Sequence, residues 1–144
     1  MTEWRFNSFV NFPNSGITEL GGIFVKMLNQ TGFPTIKGTV LSIGSIPNSV
    51  SVCIGSEEKA IAIAYDSGVT NGAMCKAVIC GIADVLLEDG KGCVAGYCAE
   101  LSKAQNGRVD GSASVNKDCG YMLESKTAGT NVLAKMLIHF DFKK

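Results

Sequence analysis

The stretch Ala73–Ala99, AMCKAVICGIADVLLEDGKGCVAGYCA, decides the fold. Within Cys75–Leu87 every second residue is apolar or glycine, whereas the alternate positions include Lys76 and Asp84. A period of two is typical of a strand with one buried face. An Asp-Gly turn signal lies within Glu88–Gly92, and mostly small apolar residues follow at alternate positions: Cys93, Ala95, Tyr97 and Ala99. The sequence therefore predicts a two-stranded hairpin around which the rest of the chain packs.

The segments that flank this stretch show the same strand pattern. In four runs, successive residues would lie on opposite faces of a strand, and turn residues bound each run. These runs are 38–44, 49–55, 59–65 and 131–142. The inner face of the last run is predicted to hold Val132, Ala134, Met136, Ile138, Phe140 and Phe142. The most polar tract, 102–117, is predicted to be a solvent loop. This pattern predicts a mainly all-β domain over residues 37–144, built as a small β-barrel or a β-tulip-like sandwich.

The first 36 residues differ in composition from this β domain. Residues 1–16 carry five large apolar side chains among Asn, Ser, Pro and Gly: Trp4, Phe6, Phe9, Val10 and Phe12. Because exposed aromatic groups are costly in water, we expect an extended N-terminal arm that docks on its own domain or on a neighbouring chain. Residues 17–28 have apolar residues at helical spacing, interrupted by Gly21-Gly22, and a short helix and an irregular segment are both open.

Composition excludes some functions. A chain of 144 residues fits one domain, and its 13 basic and 13 acidic residues cancel. Phosphate backbones are bound by clustered lysines and arginines, which this chain lacks, so nucleic-acid binding is not expected. Charged residues make up only 18% and the mean hydropathy is positive. We therefore expect partner proteins to cover part of the surface.

The sequence shows neither an export signal nor a run of about 20 apolar residues that would span a membrane. Synthesis in a cytosol and no membrane partner are therefore expected. The six cysteines are then predicted to be reduced, buried and apolar in character. A metal site is not predicted, because the pairs Cys75/Cys80 and Cys93/Cys98 would lie on opposite faces of a strand, ~16 Å apart.

One pattern could support nucleophilic catalysis. His139 and Asp141 share a strand face, and a carboxylate can orient an imidazole as a general base. No local sequence marks Cys53, Cys75 or Cys119 as an activated nucleophile. His139 is accordingly predicted to be a solvated cross-strand residue, and no catalytic or cofactor-binding residues are predicted.

Two further segments contain residue types that some enzymes use. Glu88-Asp89 is a pair of carboxylates, but acidic residues are routine at turns, so a glycosidase or metal site is not favoured. Tyr65–Val69, YDSGV, is similar to the Asp- and Gly-rich turns of small β-rich nucleotidases such as dUTPases. The chain lacks a companion phosphate-binding motif, so an enzyme of that kind stays an alternative only.

The last third of the chain resembles a known family. Gly120–Leu133, GYMLESKTAGTNVL, resembles the ending of small tailed-bacteriophage head decoration (capsid cement) proteins, which close with a short strand, a Glu, an Ala-Gly turn and a final hydrophobic strand. Three upstream segments are similar to their earlier strands, in the same order: Lys37–Leu41, Ile61–Asp66 and Gly81–Leu86. The resemblance covers about residues 37–142. The aromatic N-terminal extension and the cysteines depart from the family pattern.

The resemblance implies a non-enzymatic virion protein with a small β-barrel or β-tulip fold. Such proteins assemble in the host cytoplasm and bind the outer face of the major capsid protein shell, often as trimers that clamp adjacent coat subunits. The arm is then predicted to supply the capsid-interface anchors Trp4, Phe6, Phe9 and Phe12. Another virion component, such as a fibre base or receptor-binding module, and a small nucleotide-processing enzyme are the alternatives.

Overall fold

The chain folds as an all-β protein. A computed structural model describes residues 14–54, 59–112 and 119–140, and no helix occurs in these ranges. The strands are β1 (Ser15–Ile17), β2 (Gly22–Asn29), β3 (Val40–Ile43), β4 (Ser49–Val52), β5 (Ala62–Ala64), β6 (Met74–Leu86), β7 (Cys98–Leu101), β8 (Val109–Asp110), β9 (Gly120–Met122) and β10 (Leu133–Ile138). The all-β prediction is confirmed. The N-terminal arm lies outside the described residues.

The strands form one ten-stranded mixed sheet in the order β1-β2-β4-β3-β5-β6-β10-β9-β7-β8. Strand β2 pairs with β4 in parallel and also with β6 in antiparallel orientation. The strands β2, β4, β3, β5 and β6 therefore form a partial ring, from which β10, β9, β7 and β8 extend as a second layer. The architecture is a partial ring joined to a sheet, whereas a small barrel or sandwich was expected.

Strand β6, 13 residues long, organises the fold because it belongs to both layers. Its first half pairs with β2, and its second half pairs with β10. Between the halves, Val78 and Cys80 oppose the consecutive residues Phe24 and Ile23, so Ile79 is the extra residue of a β-bulge. Ile79 is consequently 38% exposed, and its predicted inward orientation is wrong. Gly81 follows with φ +85°, where a Cβ would strike the Gly21 carbonyl oxygen.

Two hydrophobic clusters lie on opposite sides of the β3-β5-β6 region. One consists only of buried residues from ring strands: Leu41, Val50, Ala62, Ala64, Cys75 and Ala77. The other joins ring residues such as Val40 and Val78 to Ala134 and Met136 of the second layer. Val40 and Leu41 are consecutive and so point to opposite faces. The inward face predicted for the last strand is confirmed at Ala134, Met136 and Ile138; Phe142 lies outside the described residues.

The predicted hairpin across residues 88–92 is wrong. Strand β7 pairs with β8 and β9, not with β6. Both edges of the second half of β6 are already taken, because β10 pairs along one edge and the Leu86 amide donates to the Gly38 carbonyl on the other. Residues 87–97 instead form a connection held by isolated bridges, such as that between Leu87 and Val109.

Two other expectations need correction. Neither the short helix nor the irregular segment predicted for residues 17–28 is found, since β1 and β2 form an antiparallel pair with Gly16 opposite Phe24. Strand β2 pairs along β6, and Gly21 makes the turn between β1 and β2 with φ +94°. The tract 102–117 is not a simple solvent loop either, because Ser102 is buried and Asp110 belongs to β8. Residues 113–118 are not described.

Candidate binding surface

The predicted capsid anchors Trp4, Phe6, Phe9 and Phe12 lie outside the described residues, so their role stays a prediction. The described chain begins at Asn14, whose carbonyl accepts a hydrogen bond of 2.8 Å from the Lys26 amide. This bond continues the pairing of β1 with β2 by one residue.

The structure places His139 beside Cys119, whose carbonyl accepts a hydrogen bond of 2.8 Å from the His139 backbone amide, but Cys119 is buried and the described residues show no complete catalytic triad. The His139 side chain is exposed, and its ring centroid lies 6.0 Å from that of Tyr121 on the adjacent strand β9. Its predicted partner Asp141 is not among the described residues. Cys75 is buried, and burial raises the pKa of its thiol, which keeps it protonated and unreactive at neutral pH. The packing of His139 fits the predicted cross-strand polar residue.

The paired carboxylates at the turn after β6 are occupied by protein donors. Asp89 Oδ1 accepts hydrogen bonds from the Asn131 amide at 2.8 Å and from Arg108 Nη1 at 3.0 Å, and Oδ2 accepts one from Gln105 Nε2 at 3.1 Å. The Asn131 amide bond, followed by the Gln105 bond, lowers the pKa of the Asp89 carboxyl below its usual value. Asp89 thus ties together three connections of the second layer.

Glu88 belongs to a neighbouring network. Its Oε2 accepts a hydrogen bond of 2.6 Å from Ser102, and its Oε1 lies 3.6 Å from Lys91 Nζ. The same ammonium lies 2.8 Å from Asp110 Oδ2, and the Ser112 amide and hydroxyl donate to Asp110 Oδ1. Among the described residues, no group of three or more His, Cys, Asp or Glu side chains could hold a metal ion. Since internal partners satisfy these carboxylates, the network cross-links the loops.

This carboxylate network predicts that the free energy of unfolding depends on pH. We expect Asp110→Asn to lower the free energy of unfolding by about 1 to 3 kcal/mol at neutral pH, because it weakens charge-assisted hydrogen bonds. Burial raises the pKa of the Asp110 carboxyl, but the bonds from Lys91 and Ser112 outweigh burial and leave that pKa below 3.8. The wild-type advantage is therefore full above the unfolded-state pKa and is lost as pH falls through the lower folded-state pKa.

Urea unfolding of both proteins between about pH 3 and about pH 7 measures this difference. A difference in free energy that stays the same over the whole range would show that the Asp110 charge contributes nothing.

A different part of the surface is apolar and exposed. The rim loop, residues 31–39, connects β2 to β3 and presents Phe33 at 72% exposure and Ile36 at 58%. Beneath it lies an apolar pocket of about 110 Å³ that reaches Leu41, Val52 and Ala64 of the ring strands. Ile43, two residues beyond Leu41 and on the same face of β3, is 69% exposed. Together the pocket and these side chains form an apolar patch at the mouth of the partial ring.

The rim loop is held firmly although its apolar side chains face outward. Asn29, only 1% exposed, donates from Nδ2 to the carbonyls of Phe33 and Val69, both at 2.9 Å, and accepts from the Thr31 amide. Thr35 exchanges two further bonds with Val69. The polar side chain of Asn29 is thus the buried anchor of this loop.

The turn that follows β5 is hydrogen-bonded to the rim loop. Ser67 Oγ accepts from the Lys37 amide at 2.8 Å, and the Gly68 amide donates to the Thr35 carbonyl at 2.8 Å. These residues belong to Tyr65–Val69, YDSGV, the segment that is similar to the turns of small β-rich nucleotidases. Their hydrogen bonds in this structure give the segment a structural role next to the apolar pocket.

Because the loop is fixed, burying Phe33 or Ile36 against a partner would cost little additional ordering of the backbone. The sequence predictions missed this surface. The only local signal was Phe33-Pro34 within TGFPTIKG, an aromatic residue in a tract with neither helix nor strand period.

Comparison with known proteins does not assign the chain. No protein-family model matches it, and no curated protein matches it either. Within the part of the chain that the structure describes, no helix has the length and apolar character needed to cross a bilayer.

Proposed function

We propose that this protein is a non-enzymatic virion structural protein that binds the outer surface of a phage capsid, as a trimer, and stabilises it by bridging coat subunits. The observation that carries the proposal is the rigid apolar patch at the ring mouth. Phe33, Ile36 and Ile43 are each more than half exposed, and Phe33 lies on a loop fixed by the buried Asn29. Large side chains held in water by a fixed loop are typical of a protein interface.

The pocket beneath the rim loop suits a protruding side chain of the coat protein. Its volume of about 110 Å³ is small, and its floor of Leu41, Val52 and Ala64 is apolar. An aliphatic side chain inserted there would bury its own surface and much of Phe33. Pockets of this kind, filled at the centre of an interface and closed by a surrounding rim, contribute most of the binding energy.

Capsid stabilisation follows from many such contacts. An interface of about 1,000 to 2,000 Å² per copy is enough for specific binding, and each trimer that touches several coat subunits resists their separation. The balanced charge of the chain, 13 basic against 13 acidic residues, suits a protein that stays outside the packaged genome.

The arm is proposed as a second attachment element. Deletion of residues 1–13 removes Trp4, Phe6, Phe9 and Phe12, and we expect it to abolish binding to expanded capsids that lack this protein. The melting temperature is expected to stay within a few degrees, because the sheet is built from residues 15–138. Co-sedimentation with capsids and circular dichroism measure the two effects.

The full-length chain is the control in this experiment. Failure of the full-length chain to sediment with capsids would contradict the proposed function. A truncated chain that no longer folds would instead show that the arm packs on its own domain.

A further inference from the structure

Two lysines face each other across the pair β2–β6. Lys26 and Lys76 are direct cross-strand partners in this antiparallel pair. Their Cβ atoms are then about 5 Å apart, and like charges placed directly opposite destabilise a sheet. Among the described residues, no carboxylate lies within 4 Å of either ammonium group, whereas Asp84 pairs with Lys37 at 3.5 Å. Within the described part of the chain, this sheet face therefore carries a pair of positive charges without a carboxylate partner.

Neighbouring aromatic rings hold one of these charges in place. Lys76 Nζ lies 5.1 Å from the Phe24 ring centroid and 5.8 Å from that of Tyr65. The two rings are stacked with an interplanar angle of 11°. Lys37 Nζ lies 5.8 Å from the Tyr65 ring as well. These contacts orient the Lys76 ammonium without neutralising it.

A groove runs beside Lys26. It has a volume of about 530 Å³ and is lined by Asn14, Ser15, Val25, Lys26, Met27, Asn48 and Met74, of which Met74 lies on the same sheet face as Lys76. Met74 is half exposed. The groove can therefore take both the backbone polar groups and the apolar side chains of a bound chain segment.

We infer that the lysine face, defined as Lys26, Lys76, Phe24, Tyr65 and the adjoining groove, binds an acidic segment of a protein partner. A carboxylate placed between Lys26 and Lys76 would relieve their repulsion and gain two charge-assisted contacts. Apolar residues of the same segment would lie on Met74. Naming the partner as the coat protein rests on the proposed function; the preference for an acidic segment does not.

The charge reversal Lys26→Glu tests the inference, because its effects on folding and on binding have opposite signs. It converts the Lys26–Lys76 repulsion into attraction, so the melting temperature is expected to stay the same or rise. It also repels an acidic segment, so the affinity for expanded capsids is expected to fall at least about tenfold, with a weaker dependence on salt. Lys103→Glu, at an exposed position between β7 and β8, is the matched control and should bind like wild type.

A hexaglutamate peptide serves as a probe that does not depend on capsids. In the full-length wild-type protein it is expected to shift the NMR signals of Lys26 and Lys76 at low salt, whereas in Lys26→Glu the Lys76 signal is expected to stay in place. If wild type binds capsids and Lys26→Glu binds equally well, the inference is overturned while the proposed function stands. If wild type does not bind capsids, the proposed function fails and the peptide result decides the inference. A change in oligomer mass without loss of capsid or peptide binding would assign the face to contacts between copies and overturn it.

Discussion

Replacing Phe33 by serine is expected to weaken binding to capsids about 30- to 1,000-fold, since central aromatic anchors of an interface contribute about 2 to 4 kcal/mol. The folded domain should be almost unaffected, because the Phe33 side chain is 72% exposed. Its backbone carbonyl, which accepts from Asn29 and Thr31, is retained in the variant. Titration of undecorated expanded capsids with labelled protein measures the affinity, and thermal unfolding measures the fold.

The matched control is Tyr97→Ser, which removes an aromatic side chain of 41% exposure from the connection between β6 and β7. This variant should bind capsids like wild type. Equal losses for the two variants would show that general surface hydrophobicity, and not the rim loop, governs attachment. Unchanged binding by Phe33→Ser would remove the apolar patch from the interface.

The largest effect on stability is expected for Gly38→Ala, with a loss of about 2 to 5 kcal/mol in the free energy of unfolding. Gly38 joins the rim loop to β6, with its amide donating to Ala64 and its carbonyl accepting from Leu86. Its φ of +89° is unfavourable for alanine, and an added Cβ would lie 2.6 Å from Leu133 Cδ2 and 2.8 Å from the Leu86 nitrogen. The backbone of β6 cannot move away without disturbing its pairing with β10.

Gly72→Ala separates the cost of the positive φ from the cost of the close contacts at Gly38. Gly72 has a similar φ of +90°, but a Cβ there would meet nothing within 4 Å. Its expected loss is therefore the conformational part alone, about 1 to 2 kcal/mol. Denaturant unfolding of both variants gives the comparison, and equal losses would show that close packing at Gly38 contributes nothing.

Local periodicity was enough to predict the two strands that organise the core. The alternation in β6 and β10 reflects one buried face each, and such a face is visible in a single segment. Local periodicity does not predict which strands pair. The Asp-Gly signal after β6 indicates that the chain turns, but β10, about 50 residues later, competes for the same edge of β6 and pairs there.

Other features depend on contacts that no single segment reveals. The bulge at Ile79 lies within the pairing of β6 with β2, just before β6 pairs with β10, and the partial ring requires β2 to pair with both β4 and β6. The apolar spacing of residues 17–28 is compatible with a helix or with a strand, and pairing with β1 and β6 makes Gly22–Asn29 a strand. The exposure of Phe33 follows from the anchoring of its loop by Asn29, for which the sequence holds no period or motif.

Quantitative mass spectrometry of purified virions from the source of this sequence tests the proposed function most directly. It counts copies of this chain for each copy of the major capsid protein. A decoration protein that bridges coat subunits over the whole shell predicts a ratio of one to one or another simple lattice ratio. A handful of copies would indicate a tail or vertex component, and absence from the particle would contradict the virion function.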